Sequence, residues 1–367
     1  MSEKPLFHYA IGIMSGTSMD GADAVLARFC NHCFDGVLAD AYIPFDDDLR
    51  QQLLDLQDVS DNELHQSRVL AQTLSRHYIA VVEDLLRQPE SQNIPIEAIG
   101  CHGQTVRHEP QQGYSIQLAD WAMMAEALSI PVVGDFRAAD IAAGGQGAPL
   151  VPAFHHMCFR QPEKNIVVAN IGGIANITVL PAHSEKILGF DTGTGNMLID
   201  AWTQKHFHQA FDSNGSLARQ GKILPDLLSR CLADDYFALP PPKSTGRDYF
   251  SLSWLEQYLQ GDENPYDVLH TLTLLTAITL SDAVQKYAPQ TLILCGGGCL
   301  NTFLREQIAF RLPEMEMTDT QQYGLPVMQV EAAAFAWLAH ARIHGICGNI
   351  PDVTGAKGYR VLGAIWG

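Results

Sequence analysis

Apolar residues at the start of the chain are spaced as in β-strands. Residues 9–14 form an apolar run, and after a polar segment the apolar residues Ala22, Ala24 and Leu26 occupy alternate positions. This spacing predicts a β-hairpin with a polar tip. A third strand is predicted around residues 36–45, and apolar residues at helical spacing predict a long helix between residues 61 and 87.

The opening pattern recurs in the middle of the chain. Apolar residues 166–171 and 174–180 flank the pair Gly172-Gly173, which predicts a second hairpin with a glycine tip. Internal duplication explains this recurrence as two related α/β domains that face each other. Chance recurrence of a common hairpin is the competing explanation.

The clearest change in composition is the Gly/Ala-rich stretch at residues 142–149. We therefore expect an N-terminal α/β domain at residues 1–138 and a C-terminal α/β domain at residues 139–349, with the tail at 350–367 returning to the first domain. A length of 367 residues is ample for two domains.

Composition and charge argue against membrane, secreted and nucleic-acid-binding proteins. No apolar run is long enough to span a bilayer, and the N-terminus lacks the pattern of a secretory signal, so a cytoplasmic protein without a membrane partner is expected. The formal net charge of −18 disfavours nucleic acid as a partner. A nucleotide can still bind where backbone amides and a divalent cation supply local positive charge. A homodimer is compatible with these features.

The eight cysteines are irregularly spaced, as expected for free thiols in a reducing compartment. Cys30 and Cys33 have the C-x-x-C spacing, but a zinc site of that type would need a second matching pair, which the sequence lacks. Ordinary strand-edge cysteines are therefore the preferred interpretation.

The predicted tip of the first hairpin contains groups that suit phosphate: Gly16, Thr17, Ser18, Met19, Asp20 and Gly21. Glycine lets the backbone approach phosphate oxygens, the hydroxyls can donate hydrogen bonds, and Asp20 can hold Mg²⁺ directly or through water. A plain Asp-Gly hairpin turn explains Asp20-Gly21 equally well.

A second candidate lies at residues 189–196, between a short apolar strand and a helical stretch. Asp191 stands beside two threonines and the glycines Gly193 and Gly195, with Asn196 following. Such a junction forms an anion pocket with a carboxylate directed into it. A helix N-cap is the alternative, but a cap requires only one polar residue and no pair of glycines.

A third candidate is the triplet Gly296, Gly297 and Gly298, between an apolar strand and a helix start at Asn301. The absence of side chains leaves room for an adenine or ribose against the backbone. A tight βα turn is the structural alternative, although such turns usually need one glycine.

Several polar residues occur in apolar surroundings. His102, Gln104 and Thr105 follow a buried strand, at the position where open α/β sheets place ligand-contacting residues. Arg137 and Glu331 are also candidates. Arg137 could instead form a surface ion pair, and Glu331 could simply complement a helix dipole.

These stretches, from Gly12 to Glu331, resemble the anhydro-N-acetylmuramic acid kinase family, within the sugar kinase/actin/heat-shock ATPase superfamily. The segments that carry the resemblance are residues 12–23, 101–105, 134–137, 170–176 and 189–196. Thr194 departs from the family pattern, in which proline is expected. The resemblance implies a two-domain actin-like (ribonuclease H-like) ATPase fold with an interdomain cleft.

The resemblance also implies a reaction and residue roles. ATP and water would convert 1,6-anhydro-N-acetylmuramic acid to N-acetylmuramic acid 6-phosphate and ADP in peptidoglycan recycling. Gly16 to Asp23, including Ala22, would contact the ATP phosphates, and Asp191 would be the catalytic base. Glu331, also assigned as catalytic, and Arg137 would lie in the sugar site.

The remaining assignments follow from the loops already described. Gly172, Gly173, the glycine triplet and Asn301 are expected to contact ATP. His102, Gln104, Thr105, Gly193 and Asn196 are expected to contact the sugar, and Mg²⁺ is the expected cofactor.

Three other functions compete with this one. A kinase of the same fold could phosphorylate an ordinary sugar hydroxyl. A heat-shock type of binding protein would need a peptide-binding domain, for which no residues remain. A cysteine hydrolase built on Cys101-His102 is disfavoured, because adjacent strand residues point to opposite faces.

Overall fold

The computed structural model of the chain describes residues 6–16, 19–59, 61–184, 186–246 and 249–367. Contacts within the chain divide it into two units. The first unit comprises Met1–Cys158 and Tyr323–Gly367, and the second comprises Phe159–Gln322.

The regular elements are given in chain order. The strands are β1 (Phe7–Met14), β2 (Gly21–Cys30), β3 (Cys33–Pro44), β4 (Ala98–Cys101), β5 (Gln104–Glu109), β6 (Tyr114–Leu118), β7 (Val132–Gly134), β8 (Ile166–Ile171), β9 (Ile174–Leu180), β10 (Leu188–Thr194), β11 (Thr291–Cys295), β12 (Glu316–Asp319) and β13 (Ala364–Trp366). The helices are α1 (Asp47–Asp55), α2 (Glu63–Arg87), α3 (Trp121–Leu128), α4 (Ala138–Ala142), α5 (Val151–Phe159), α6 (Met197–Phe207), α7 (Pro225–Leu232), α8 (Asp235–Ala238), α9 (Leu252–Glu256), α10 (Pro265–Gln285), α11 (Thr302–Arg311), α12 (Val330–Ile343) and α13 (Pro351–Thr354).

The main sheet of the first unit has the strand order β13-β7-β4-β1-β2-β3. Strands β1, β2 and β3 form an antiparallel meander, whereas β4 runs parallel to β1 and β7 runs parallel to β4. The predicted first hairpin and the predicted long helix are therefore present, the latter as α2. The C-terminal strand β13 pairs antiparallel with β7 and so joins this sheet.

The sheet of the second unit has the order β10-β9-β8-β11-β12. Strands β8, β9 and β10 again form an antiparallel meander, and β11 and β12 continue the sheet in parallel. Apart from the added β13, the two sheets thus share one strand order, which is that of a ribonuclease H-like domain. This repetition confirms the prediction of an α/β fold with two related domains.

Helix α12 packs directly on the backbone of β1 and β4. Gly12 and Gly100 are neighbours in the parallel ladder between these strands. A Cβ atom added at Gly12 would lie 1.9 Å from the Ala332 carbonyl oxygen, and one added at Gly100 would lie 2.0 Å from that of Phe335. The helix can approach this closely because both strand positions lack a side chain.

The division into units differs from the boundaries expected at residues 138 and 349. Helices α4 and α12 and most of α5 belong to the first unit, because α12 packs on its sheet and the Gly/Ala-rich stretch is tied to the C-terminal tail. The buried Asp140 carboxylate accepts hydrogen bonds from the Gly147 amide at 2.8 Å, Asn349 Nδ2 at 2.6 Å and Thr354 Oγ1 at 2.7 Å. Residues 142–149 are therefore an anchored segment and not a linker.

Each unit has its own apolar core. In the first, Leu70, Leu74 and Tyr78 of α2 pack beneath the meander. In the second, α10 supplies Leu269, Leu272 and Leu275 to the core.

Helix α10 is long and apolar enough to cross a membrane by length and composition, but 72% of its most apolar window is buried within the protein. This burial is what a central core helix shows. All eight cysteines are free thiols.

Candidate active site

The loop between β1 and β2 is anchored from both sides in the first unit. The Ser15 Oγ atom lies 2.6 Å from the buried Tyr78 hydroxyl, and Gln104 Nε2 donates to the Gly16 carbonyl at 3.3 Å. Met19 is buried, and its amide also donates to the Gly16 carbonyl. Thr17 and Ser18, which were expected to contact phosphate, lie outside the described residues.

Packing alone accounts for two other residues of this loop. A Cβ atom added at Gly21 would lie 2.5 Å from the Ile43 carbonyl oxygen, and Ala22 is fully buried in the core. Neither observation tests a contact with nucleotide. Asp20 at the end of the loop is exposed, and Asp23 near the start of β2 is half-buried.

Carboxylates gather at the base of this loop. Burial raises the pKa of Asp23 to about 6, and the charges of Asp20, Glu331 and Asp40 raise it further, while a hydrogen bond from Gln329 opposes them. Glu331 lies in the first turn of α12. Neighbouring carboxylate oxygens that repel one another are the ligand type that Mg²⁺ binds.

A guanidinium and an imidazole stand beside these carboxylates. Arg137 donates through Nε at 3.2 Å and Nη2 at 2.8 Å to His102 Nε2, and through Nη1 at 2.6 Å to the Gly147 carbonyl. Because Nε2 accepts, the proton of a neutral His102 sits on Nδ1. Burial and the charge of Arg137 lower the pKa of His102 well below its ordinary value, against a hydrogen bond with the Gly103 backbone. His102 is therefore a neutral imidazole.

Arg137 remains a cation in this setting. Burial lowers its pKa to about 10, and the charges of Glu331 and Asp140 oppose the shift. Asp135, which precedes it by two residues, has a left-handed backbone with φ 52° between β7 and α4. Such strain is retained where the surrounding structure fixes the backbone conformation.

Gln104 and Thr105 begin β5 next to His102. Gln104 is buried, and its Oε1 atom has no hydrogen-bond donor among the residues that the structure describes. Thr105 Oγ1 accepts from Gln117 Nε2 at 3.1 Å. The structure therefore brings His102, Gln104, Thr105, Arg137 and Glu331 to one region of the first unit.

In the second unit, the tip of the β8–β9 hairpin joins the start of α6. The Asn196 amide donates to the Gly172 carbonyl at 2.8 Å, and the Gly195 amide donates to the Gly173 carbonyl at 2.9 Å. A Cβ atom added at Gly195 would lie 2.1 Å from the Gly172 oxygen, whereas the nearest atoms to added Cβ atoms at Gly172 and Gly173 are 3.5 and 3.9 Å away. Packing thus requires Gly195, while the tip itself has open space.

Asp191 lies in β10 immediately before a β-bulge. The register shifts between Asp191 and Gly193, where Gly193 has φ 145°, and Thr192 is left out of the pairing. Bulges redirect side chains and are frequent next to active sites. Asp191 Oδ2 accepts from the Thr245 amide at 3.0 Å, and the Asp191 carbonyl accepts from the Tyr236 hydroxyl at 2.9 Å.

The protonation of Asp191 suits acid–base chemistry. Burial raises its pKa to about 6, and the hydrogen bond from Thr245 opposes the shift. A base is most effective when its pKa lies near the operating pH. Asp191 is therefore ionised at neutral pH, yet far more basic than an ordinary aspartate.

Thr194, where the family pattern has proline, is buried close to α10. Its Oγ1 atom lies 3.4 Å from Thr276 Oγ1, and Thr276 Oγ1 donates to the Gly195 carbonyl at 2.8 Å. Asn196 Nδ2 donates to the Ile171 carbonyl at 3.4 Å. Thr194 and Thr276 therefore hold residues 194–195 close to α10.

The glycine triplet has a structural explanation at two of its three positions. Gly296 has φ 80°, and an added Cβ atom would lie 2.3 Å from Asn170 Oδ1, while one added at Gly298 would lie 2.3 Å from Ile171 Cγ2. Asn301 Oδ1 caps α11 by accepting from the Leu304 amide at 3.0 Å. Gly296 and Gly297 are partly exposed, whereas Gly298 is buried.

Sequence reasoning missed the groups that surround Asp191. Thr245, Tyr236 and Lys243 converge there, with the Lys243 carbonyl accepting from the Asp191 amide at 3.0 Å. The signal was the run Lys243-Ser244-Thr245-Gly246, which has the small polar residues and glycine of the other loops. Gln329, the hydrogen-bond partner of Asp23, carried no comparable signal.

Comparison with known proteins supplies an independent finding. The family model described as "Anhydro-N-acetylmuramic acid kinase" matches residues 8–367. A protein of that name from Neisseria meningitidis serogroup C is 54% identical over 357 residues, covering 96% of this chain and 97% of the relative. Those of Nitrosomonas europaea and Nitrosospira multiformis are 49% and 48% identical, and each alignment covers 98% of this chain.

Proposed function

The chain belongs to the anhydro-N-acetylmuramic acid kinase family, and on that premise we propose the reaction it performs and the residues that perform it. The enzyme opens the 1,6-anhydro ring of 1,6-anhydro-N-acetylmuramic acid with water. It transfers the γ-phosphoryl group of ATP to O6, giving N-acetylmuramic acid 6-phosphate and ADP. The family match over residues 8–367 is the observation that carries this proposal.

Asp191 acts as the base in this proposal. Its carboxylate takes a proton from a water molecule as the water oxygen bonds to the anomeric carbon. The bond between that carbon and O6 breaks, and O6 receives the phosphoryl group. The hydrogen bond from the Thr245 amide fixes one carboxylate oxygen, and the raised pKa of about 6 makes the group a competent base at neutral pH.

Residues of the first unit hold the sugar. Arg137 presents a buried cation, and the neutral His102 imidazole that it touches fixes its orientation. Glu331 contributes a carboxylate to the same region, where the charge of Arg137 partners it. Gln104 Oε1 offers an acceptor to a sugar hydroxyl or to the N-acetyl N–H.

The glycine-containing loops bind ATP. Gly172 and Gly173 have the open space that close approach to phosphate oxygens requires. In this proposal the partly exposed Gly297 contacts the adenosine. Mg²⁺ bound by Asp20, with Asp23 beside it, supplies charge neutralisation for the phosphates when present. The repulsion that raises the pKa of Asp23 is consistent with a site that takes a cation.

The biological setting follows from the substrate. The anhydro sugar is a fragment of peptidoglycan, and its phosphorylation in the cytoplasm returns it to amino sugar metabolism. The small-molecule sugar and ATP are the partners in this proposal.

An assay of ADP release tests the reaction. The purified enzyme is given ATP, Mg²⁺ and the anhydro sugar, with hexoses in parallel reactions, and the products are analysed by mass. The product should exceed the anhydro sugar by one phosphoryl group and one water molecule. Release of ADP with a hexose, and not with the anhydro sugar, would support the alternative of phosphorylation at an ordinary hydroxyl.

A further inference from the structure

Four histidines surround one carboxylate at the opposite end of β1 from the hairpin loop. His8 lies near the start of β1, His32 in the turn between β2 and β3, Glu97 just before β4, and His340 and His344 at the end of α12. His8 and Met14 are separated by about 20 Å along the strand, since each residue of a strand adds about 3.3 Å. None of these five residues takes part in the proposed reaction.

Three imidazoles meet the Glu97 carboxylate. His8 Nδ1 lies 3.1 Å from Glu97 Oε2, His344 Nε2 lies 3.0 Å from the same oxygen, and His340 Nδ1 contacts Oε1. The candidate ligand atoms of His8, Glu97, His340 and His344 all lie within 4.8 Å of one another.

The cluster combines burial with access. The side chain of His340 is fully buried, and that of Glu97 is 18% exposed, whereas those of His8 and His344 are 15% and 25% exposed. A buried set of ligands with partly exposed members permits an ion to enter from solvent.

We propose that His8, Glu97, His340 and His344 form a binding site for a divalent first-row transition metal, with Zn²⁺ as the best fit. Three imidazole nitrogens and one carboxylate oxygen make a four-coordinate set of the kind that zinc takes in proteins. In the structure as described, the three imidazoles use these nitrogens to donate to Glu97, because a carboxylate only accepts.

The ligand atoms lie within 4.8 Å of one another, and rotation of the side chains is needed to reach tetrahedral spacing. Bonds of about 2.0–2.2 Å place neighbouring ligand atoms of a tetrahedral zinc site roughly 3.3–3.5 Å apart. The contacts of His8 and His344 with Glu97, at 3.1 and 3.0 Å, are slightly shorter than this. Moderate rotation of the side chains opens the space for the ion.

Binding needs no loss of protons from neutral imidazoles, only a change of tautomer. When the metal takes Nδ1 of His340, the ring proton sits on Nε2, which lies 3.0 Å from His32 Nδ1. His32 Nδ1 then accepts a hydrogen bond from this N–H group. Metal-bound histidines commonly donate their second N–H to such an outer partner, which fixes the ring.

Helix α12 presents two of the four ligands together. His340 and His344 are four residues apart on α12, so they project from one face of the helix. His340 also stacks on Phe29, with ring centroids 4.6 Å apart and an interplanar angle of 9°. A bound metal would tie the C-terminal end of α12 to the starts of β1 and β4, while the first turn of the same helix carries Glu331. We therefore expect the ion to stabilise the first unit.

Titration of untagged, metal-free protein with Zn²⁺ against a chromophoric chelator tests the site, in the absence of nucleotide. The expected result is one ion per chain with an increase in the melting temperature. His8→Gln and His344→Gln should each weaken binding by about 100-fold or more, since loss of even an outer partner costs 10–100-fold. His65→Gln, which changes an exposed histidine of α2, is the matched control and should bind as the wild type does.

Two spectroscopic readouts on the wild-type protein keep the test independent of how the variants fold. Co²⁺ in the site should show the intense visible absorption of four-coordinate cobalt, and X-ray absorption of the zinc-loaded protein should show imidazole scattering from three ligands. The proposal would be overturned by weak absorption typical of six-coordinate cobalt. It would also be overturned by a zinc affinity that both substitutions leave unchanged, or by the absence of stoichiometric binding. The cluster would then be a hydrogen-bond network around Glu97 alone.

Discussion

Asp191→Asn should lower catalysis and raise stability in the same protein. The amide is nearly isosteric with the carboxylate but cannot accept the proton of water, so kcat should fall on the order of 10²–10⁴-fold, the usual contribution of a positioned general base. The amide oxygen can still accept the hydrogen bond that the Thr245 amide makes with Asp191 Oδ2 at 3.0 Å. Folding and nucleotide binding should therefore be retained.

The stability gain follows from the pKa of Asp191. Burial raises this pKa from 3.8 to about 6, so between these pH values the folded protein holds a proton that the unfolded chain releases. The free energy of unfolding consequently falls as pH rises from about 4 to 6 and stays lower above pH 6. One pKa unit corresponds to about 1.4 kcal/mol, so a shift of about two units costs about 3 kcal/mol at neutral pH. Asparagine does not ionise and avoids this cost.

Thermal unfolding at about pH 4 and pH 7.5, beside the ADP-release assay, measures both effects. The variant should melt above the wild type at pH 7.5, and the difference should shrink at pH 4. Asp200→Asn is the matched control, because burial and then the charge of Asp212 raise the pKa of Asp200 to about 7 in the same unit. It should also gain stability at pH 7.5, yet keep kcat within about tenfold because Asp200 is not the base. Near wild-type turnover of Asp191→Asn would refute this reasoning. So would a difference in melting temperature, variant minus wild type, that is smaller at pH 7.5 than at pH 4.

Three further substitutions test other parts of the account. Gly12→Ala should destabilise the first unit by about 1–3 kcal/mol or more, as overpacking changes do, because its Cβ would overlap the Ala332 carbonyl. Urea unfolding measures this loss. Gly358→Ala is the control and should have little effect, because the added Cβ would lie near only the flexible Arg360 side chain. Gly297→Val should raise KM for ATP and leave KM for the sugar unchanged; equal loss of both would mean that the triplet is only a packing turn. Arg137→Lys should raise KM for the sugar, because an ammonium cannot reach both His102 and the Gly147 carbonyl as the guanidinium does. An unchanged KM for the sugar would exclude Arg137 from the sugar site.

Local patterns predicted the parts of the fold that depend on neighbouring residues. Alternating apolar residues predicted the first hairpin, apolar segments on either side of Gly172-Gly173 predicted the second, and helical spacing predicted α2. The unit boundaries were not predictable in this way, because they depend on α12 packing against Gly12 and Gly100 from the far end of the chain. The composition shift at residues 142–149 predicts a domain boundary close to it, although the buried Asp140 anchors that segment within the first unit.

The candidate site shows the same division. Asp191 is a candidate from the sequence because it lies beside glycines at a strand-to-helix junction. His102, Arg137 and Glu331 are candidates because they are polar residues in apolar surroundings. The Thr245 amide that holds Asp191 is a backbone group, so the glycine-containing run at residues 243–246 marks the loop but not this contact. Glycine alone did not separate binding from packing: Gly195, Gly296 and Gly298 are required by close contacts, whereas Gly172 and Gly173 have open space.

Attack of water at the anomeric carbon is tested most directly by running the wild-type reaction in ¹⁸O-labelled water. The product is quenched early and analysed by mass fragmentation, and unlabelled N-acetylmuramic acid 6-phosphate incubated in the same water measures the slow exchange of the anomeric oxygen. The account predicts one ¹⁸O atom on O1 at the earliest times and none in the phosphate group. Product whose O1 carries no label beyond that exchange would contradict it.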